Sequence, residues 1–331
     1  MKKNYQLVNL ALVVLAAVVV SAVGTGEVSA QEPKSFVERP VRVVIPYAPG
    51  GATDVVARKL GEKMGGITGQ PVVVENKPGG ASVIAVRQLL SSAPDGHTLA
   101  LFDSASSTLT PFLFKKESYD RNELVPVTMV ARIPFAVLTS PDFPANNLAE
   151  FVEYVKKNPG LPFASSGMGN SVHIGMERFL ALAGLKMTHV PYRGAAPALQ
   201  DLAAGQITAA MMDISSAMEL VKGGKLKVLA VTSAERSELL PNVPTVGESG
   251  YDGFQAGNWF AYFVRSGTSA PALESLNSTL RAVINTPEIS GWLKSIALEP
   301  YTTGTDEVAR FVEADAEINR DVIRQLGLTL D

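Results

Sequence analysis

The chain has 331 residues, 46% of them hydrophobic, with 29 basic against 32 acidic side chains and no cysteine. A net charge of −3, mixed in sign along the sequence, provides no basic footprint for nucleic acid. The missing cysteine removes a thiol nucleophile, thiolate metal ligands, disulfides and a lipid-modified N-terminal cysteine.

Lys2 and Lys3 open the chain, an almost unbroken apolar run follows from Leu10 to Val20, and small residues lead to Val28-Ser29-Ala30. This is the three-part pattern of a secretory signal peptide, with cleavage expected after Ala30 and a soluble periplasmic product. A retained membrane anchor is the competing reading, because Leu7 to Val23 approaches a bilayer-spanning length. Gln31-Glu32-Pro33 favours cleavage, since it lacks the character of a stop-transfer flank. Removing residues 1–30 leaves 27 basic and 31 acidic residues. The remaining length exceeds what one core usually holds, so two lobes are expected.

From there the pattern is strand, glycine-rich turn, helix, repeated. Val41 to Ile45 is a β-branched run ending at Pro46, and Thr53 to Met64 carries Val56, Leu60 and Met64 at helical spacing. Val72 to Val74 predicts a strand, Pro78-Gly79-Gly80 a turn, the stretch through Leu89 a helix, and Thr98 to Phe102 a third strand. A second set starts near residue 130. Strands are expected at Phe135–Leu138, 162–164, 189–190, 207–212 and 226–231. Helices are expected at 148–155, 172–183, 196–204 and 216–221. Pro241 to Gly250 reads as a long connection, Trp259 to Val264 as one more strand, and 271–330 as mainly helical. The fold class is therefore α/β, each lobe a mainly parallel sheet flanked by helices. Residues 31–130 with 250–331 are expected to form the first lobe and 131–249 the second, the two crossovers acting as a hinge.

Tyr47-Ala48-Pro49-Gly50-Gly51-Ala52-Thr53-Asp54 joins a strand's carboxyl end to a helix, where open α/β sheets bind ligands. Glycines let a ligand approach the backbone, and unpaired first-turn amides with the helix dipole behind them attract an anion. The competing reading is a tight turn capped by Thr53 or Asp54. Asp54 already satisfies the dipole, so it caps, positions water, or meets a ligand ammonium. Similar turns occur at Gly79-Gly80-Ala81-Ser82, at Ser166 to Ser171 before the helix carrying His173, and at Arg193-Gly194-Ala195-Ala196. Four such junctions in both presumed lobes point to a ligand held between helix N-termini. Ser104, after the third strand, joins the candidates. Arg193 could grip a carboxylate through its fork of donors or stay solvated. Tyr47 and Trp259 could stack on a planar ligand, with buried packing the safer reading for Trp259.

A secreted hydrolase is the main rival. No G-x-S-x-G elbow, H-E-x-x-H pair or phosphate-loop signature occurs, and the chain has only three histidines. No catalytic residue, metal site or cofactor is assigned.

The blocks Pro46 to Asp54, Val74-Glu75-Asn76-Lys77-Pro78-Gly79, Ala93-Pro94-Asp95-Gly96 and His189 to Ala198 resemble the signature segments of the tripartite tricarboxylate transporter substrate-binding proteins, the Bug receptors. The resemblance continues through Ala230-Val231-Thr232-Ser233, Pro241 to Val246 and Trp259-Phe260, spanning the mature chain in order. It implies a two-lobed periplasmic-binding-protein fold of type II, with a small carboxylate (di- or tricarboxylate, acidic amino acid or aromatic acid) between the lobes. It points to Gly50, Gly51, Thr53 and Asp54 on one side of the ligand. Ser166, Asn170, His173, Gly194, Ala195, Ala196 and Asp213 would lie opposite. The implied partners are the permease subunits of such a transporter, or a sensor-kinase ectodomain reading the closed form, with the receptor a monomer. One departure stands out: Ala81-Ser82-Val83 occupies the place of the family's usual Gly-Gly-Asn. Side chains there narrow the approach, which suits a smaller or less polar head group such as an aromatic or short aliphatic acid.

Overall fold

The computed structural model describes residues 38–114 and 119–329, so the expected leader lies outside them. Among the described residues no helix is long and apolar enough to cross a membrane.

The first segment alternates as expected: β1 (Val41–Ile45), α1 (Ala52–Thr68), β2 (Val72–Asn76), α2 (Val83–Leu90) and β3 (Thr98–Asp103). β1 pairs in parallel with both β2 and β3. A π-helical turn at Ala105–Leu109 and the short α3 (Thr110–Leu113) follow, in a stretch where the sequence pattern predicts no element. The chain then enters β4 (Leu124–Thr139), far longer than the Phe135–Leu138 strand expected. Pro126 and Pro134 hide it in the sequence, since proline usually stops a strand. Pro126 sits where the register shifts against β9 (Gly257–Arg265), and Pro134 where β4 passes from one sheet to the other.

Up to Pro134, β4 pairs antiparallel with β9, whose other edge meets β3, and with the two-residue β10 (Glu299–Pro300). From Phe135 onward it pairs antiparallel with β7 (Ala209–Asp213) and β8 (Lys227–Val231). β7 continues in parallel to β5 (Pro162–Ser165), and β5 to β6 (Thr188–Pro191). β1 to β3 and β5 to β7 thus pair in parallel, as the continuous apolar runs indicate, while every pairing of β4 and β9 is antiparallel, so each sheet is mixed where the sequence suggests a mainly parallel one. Helices α4 (Leu148–Lys157), α5 (Ser171–Ala183), α6 (Ala195–Ala203) and α7 (Ile214–Lys222) accompany the second sheet. The C-terminal part holds α8 (Ala270–Ile284), α9 (Pro287–Ser295) and α10 (Thr305–Leu326).

Each sheet has its own buried core. Phe135, Phe151, Phe163 and Phe179 anchor one. Val43, Leu60, Leu101 and Tyr262 belong to the core on one face of the first sheet, and Phe102, Trp259 and Phe263 to that on the other. Trp259 is 2% exposed and packs edge-on against Phe311, so burial and not ligand stacking accounts for it.

At the junction of the sheets, fully buried Thr232 ties three segments together. Phe135 N–H donates to its hydroxyl at 2.8 Å, its own N–H donates to Phe135 O at 2.9 Å, and Ala256 N–H donates to its carbonyl at 3.2 Å. Thr232→Val keeps the shape but strands the Phe135 amide, so urea denaturation should show a loss of about 1–3 kcal/mol. An unchanged midpoint would mean that this hydroxyl does not hold the junction.

Candidate ligand-binding cleft

The loop after β1 is organised by Asp54. Its carboxylate accepts from Gly50 N–H at 2.9 Å, from Asn76 Nδ2 at 2.9 Å and from Arg58 Nε at 3.1 Å. Asn76 Nδ2 also lies 3.0 Å from Tyr47 O, and so connects the loop to the end of β2. Asp54 is 3% exposed. The Arg58 bond, followed by the Gly50 amide, lowers its pKa to about 2. Asp54 therefore reaches back into the loop and caps no helix amide. Gly50 has φ +88°, a left-handed conformation that favours glycine. Gly51 is extended, exposed at the rim, and starts α1 without a side-chain cap.

The loop after β2 takes an unusual turn. Gly80, Ala81 and Ser82 follow one another at φ 57°, 47° and 75°, so two non-glycine residues hold left-handed backbone, at about 1–2 kcal/mol each. Thr110 Oγ1 donates to Ala81 O at 3.0 Å. Ser82 Oγ lies 2.9 Å from Ser106 Oγ, which lies 2.6 Å from Asp103 Oδ1. Tyr47 O–H donates to Asp103 Oδ2 at 2.6 Å. Burial, then the Asp103 charge, raises the Tyr47 pKa well above the usual phenol range. Asp103, 4% exposed, thus joins both loops and the π-helical turn. Ser104 turns elsewhere: its hydroxyl donates to Asn258 Oδ1 at 2.7 Å, on β9.

On the second sheet, Asn170 caps α5 by accepting from His173 N–H at 3.0 Å, and its Nδ2 donates to Ser166 Oγ at 2.8 Å. His173, 2% exposed, accepts from Gly169 N–H at Nδ1 and stacks on His189 with ring centroids 3.6 Å apart. Burial, then the neighbouring His173, lowers the His189 pKa to about 4. Gly194 N–H donates to Ser166 O at 3.1 Å, joining the third and fourth glycine turns. Gly194 starts α6 with φ +115° and no side-chain cap, leaving the first-turn amides of Ala195 and Ala196 without one. Arg193 is exposed. Asp213, at the end of β7, has its pKa raised to about 6 by burial and, less, by the Asp103 charge.

Between these loops lies a cavity of about 310 Å³. Its walls come from Pro46–Ala48, from Pro78–Ser82, from Ala105 to Leu113, and from Met168–Asn170 on the second sheet. Leu113 reaches across so closely that a Cβ on Gly169, itself at φ +72°, would lie 3.2 Å from its methyl carbons. Of the sequence-predicted site residues, Tyr47, Gly79, Ser82 and Asn170 line this cavity. Gly50, Gly51, Thr53 and Asp54 form the adjoining loop and helix start, and Gly80 lies inside the left-handed turn. His173 and Ser166 sit behind the second-sheet loop as its supports. Ser104, Arg193, Gly194, Ala195, Ala196 and Asp213 are outside the lining. Sequence reading missed Leu109, Thr110 and Leu113, whose stretch carries no glycine turn and no strand-to-helix junction, and Met168, which lies inside the third glycine turn but has no polar group to single it out.

This cavity lies at strand ends and is walled by loops from both sheets of an α/β frame. The chain belongs to the tripartite tricarboxylate transporter family of receptors, whose family description matches residues 56–328. It is 33% identical over 301 residues to a UPF0065 protein of Bordetella pertussis (strain Tohama I), covering 91% of this chain and 93% of that protein. Two solved relatives hold acids. R. palustris Rpa4515 with adipate is 28% identical, with a TM-score of 0.73, over 88% of this chain and 98% of that one. MatC from Rhodopseudomonas palustris with bound malate is 30% identical, with a TM-score of 0.69, over 86% and 99%. Family and fold are those of periplasmic substrate-binding receptors and not of enzymes.

Asp54 yields a pH-dependent prediction. Its folded-state pKa lies below its unfolded value, so its contribution is complete above about pH 4 and lost as pH falls towards about 2. Arg58 is half exposed, which limits the effect to about 1–2 kcal/mol. Denaturant titrations of Asp54→Asn should show that deficit at pH 7 and a narrowing gap as pH drops from 4. A gap independent of pH would mean that the carboxylate charge is not what orders the loop.

Proposed function

We propose that the chain is a periplasmic receptor that captures a small carboxylate in this cleft and delivers it to the permease subunits of a tripartite tricarboxylate transporter. The carrying observation is the cavity itself: it is walled by loops from both sheets and bordered by the starts of α2 and α5. Helix starts supply amide donors and a favourable dipole to an anion without a formal cation. The adipate and malate held by the two solved relatives support an acid as ligand. The leader, cut after Ala30, and a lobe division at residues 131 and 249 belong to the same reading. Hinge motion about β4 and β9 then exchanges open and closed forms, and the ligand favours closure by its higher affinity for that form.

Binding, not catalysis, is the output. The hydroxyls of Ser82 and Ser106 are engaged with each other and with Asp103, and His173 and His189 are stacked beneath a loop. Neither arrangement presents an activated nucleophile to the cavity.

A carboxylate at about 100 times its dissociation constant adds about 2.7 kcal/mol, which for a chain of this size raises Tm by about 4 °C. Thermal-shift measurements over a panel of acids should find at least one such response; silence across the panel, repeated by calorimetry, would contradict the reading. A Cβ at Gly51 meets nothing closer than Ala48 O at 3.8 Å, so Gly51→Val should fold. Its branched side chain should nevertheless obstruct the amides of α1 and weaken binding by about tenfold or more. Unchanged affinity would make the first loop a simple turn.

A further inference from the structure

We propose that a second cavity, set against β4 on the edge away from the cleft, is a binding site for a small organic oxyanion on an apolar body, with Arg132 and Arg178 holding the anion. The site is separate from the cleft and does not depend on the receptor reading.

Its place follows from the sheet order. In the first sheet β4 has β9 on one edge and β10 on the other, and in the second it has β7 and β8. β9 leads on to β3, β1 and β2, and β7 to β5 and β6, among them the strands whose loops wall the cleft. The second cavity, of about 670 Å³, lies on the β8 and β10 side. It draws on residues 232–239, 297–300 and α10, and among the described residues it shares no lining with the cleft. Ile133 and Pro134 of β4 and Gly257 to Trp259 of β9 also line it, so an occupant touches both passages between the sheets. Occupancy and the relative placement of the sheets are thereby linked.

Two guanidinium groups line this cavity, and each is held by something other than a carboxylate. Arg132 lies over the Tyr301 ring, 3.7 Å from its centroid, and Arg178 on α5 donates through Nη2 to Gln255 O at 3.0 Å. Burial lowers the Arg178 pKa, with the Asp315 charge opposing. A cation anchored through one arm of its fork has donors left for an oxyanion, which offsets its desolvation.

The acids around the cavity are engaged or weakened. Asp315 Oδ2 accepts from Thr108 Oγ1 at 2.6 Å, Asn319 Nδ2 at 3.0 Å and Trp259 Nε1 at 3.2 Å. Glu238 pairs with Lys294 at 2.7 Å, and Glu235 is exposed. Burial raises the Glu299 pKa and so favours its neutral form. Ile214, Trp259 and Phe311 supply apolar wall, while Leu239 and Ile318 remain 44% and 43% exposed. Such surface gains when an alkyl or aryl body covers it.

Fluorescence titration of the full mature chain with two probes tests the site: anilinonaphthalene sulfonate, and phenyl-naphthylamine, the same body without the sulfonate. The sulfonate should saturate and bind at least about tenfold tighter than the neutral probe. Arg178→Met should cut that ratio at least about fivefold, and Arg132→Met should do the same. Each ratio is taken within one variant, so a loss of stability in either does not obscure it. Hydrogen exchange should place the sulfonate's protection on residues 232–239, 253–259 and 311–318, and not on 47–51, 79–82 or 168–170. Equal affinity for the two probes, unsaturable binding, or a ratio unchanged in both variants overturns the anion site. Protection confined to the cleft loops overturns its location. No cleft acid enters these measurements, so their failure leaves the receptor reading standing, and failure of the acid panel leaves this site standing.

Discussion

The continuity of β4 is the constraint on which the rest of the structure depends. One uninterrupted strand supplies antiparallel edges to both sheets, so neither half can be placed independently of the other. Pro134 marks the change of partner, where a ladder hydrogen bond can be omitted without loss. Thr232 and Ala256 complete the junction through the return crossover. Carboxyl ends of β1, β2 and β5 thereby deliver their loops to one cavity, which could not form from either sheet alone.

Within that frame, the charged groups of the described loops hold backbone in place. Asp54 fixes the first loop, Asp103 fixes the second loop and the π-helical turn, and His173 fixes Gly169. Each engages its polar atoms with neighbouring loop groups, and among the described residues the lining is uncharged. Preorganised amides of this kind lower the ordering cost of binding. The left-handed backbone of Ala81 and Ser82 persists because Thr110 and Ser106 hold it from the adjoining segment.

The glycine-rich strand-to-helix turns are legible in the sequence because their chemistry is local: a β-branched run, a breaker, then helical spacing. The α/β alternation and most helix positions follow from the same signals. The N-terminal half of β4 is not legible, since Pro126 and Pro134 read as stops until the register shift and the sheet crossing are known. Nor is the wall built by Leu109, Thr110 and Leu113, whose π-helical approach leaves no periodic trace. The place of His173 in a helix's first turn fits a side chain near the cleft and a packed one equally. Its burial against His189 depends on a pairing of β5 with β6 that no local pattern announces. For Asp54 the sequence suggests a cap, a water or a ligand ammonium, whereas the fold brings Gly50, Asn76 and Arg58 to its carboxylate and makes it the organiser of the loop.

The central claim is that loops from both sheets grip one solute. A crystal structure of the mature protein grown with the tightest-binding acid tests it directly. The account predicts the carboxylate within hydrogen-bonding distance of the Tyr47–Gly51 or Gly79–Ser82 backbone on one side, with Met168–Asn170 closing from the other. Solute density away from these segments, or touching one sheet's loops only, would contradict it.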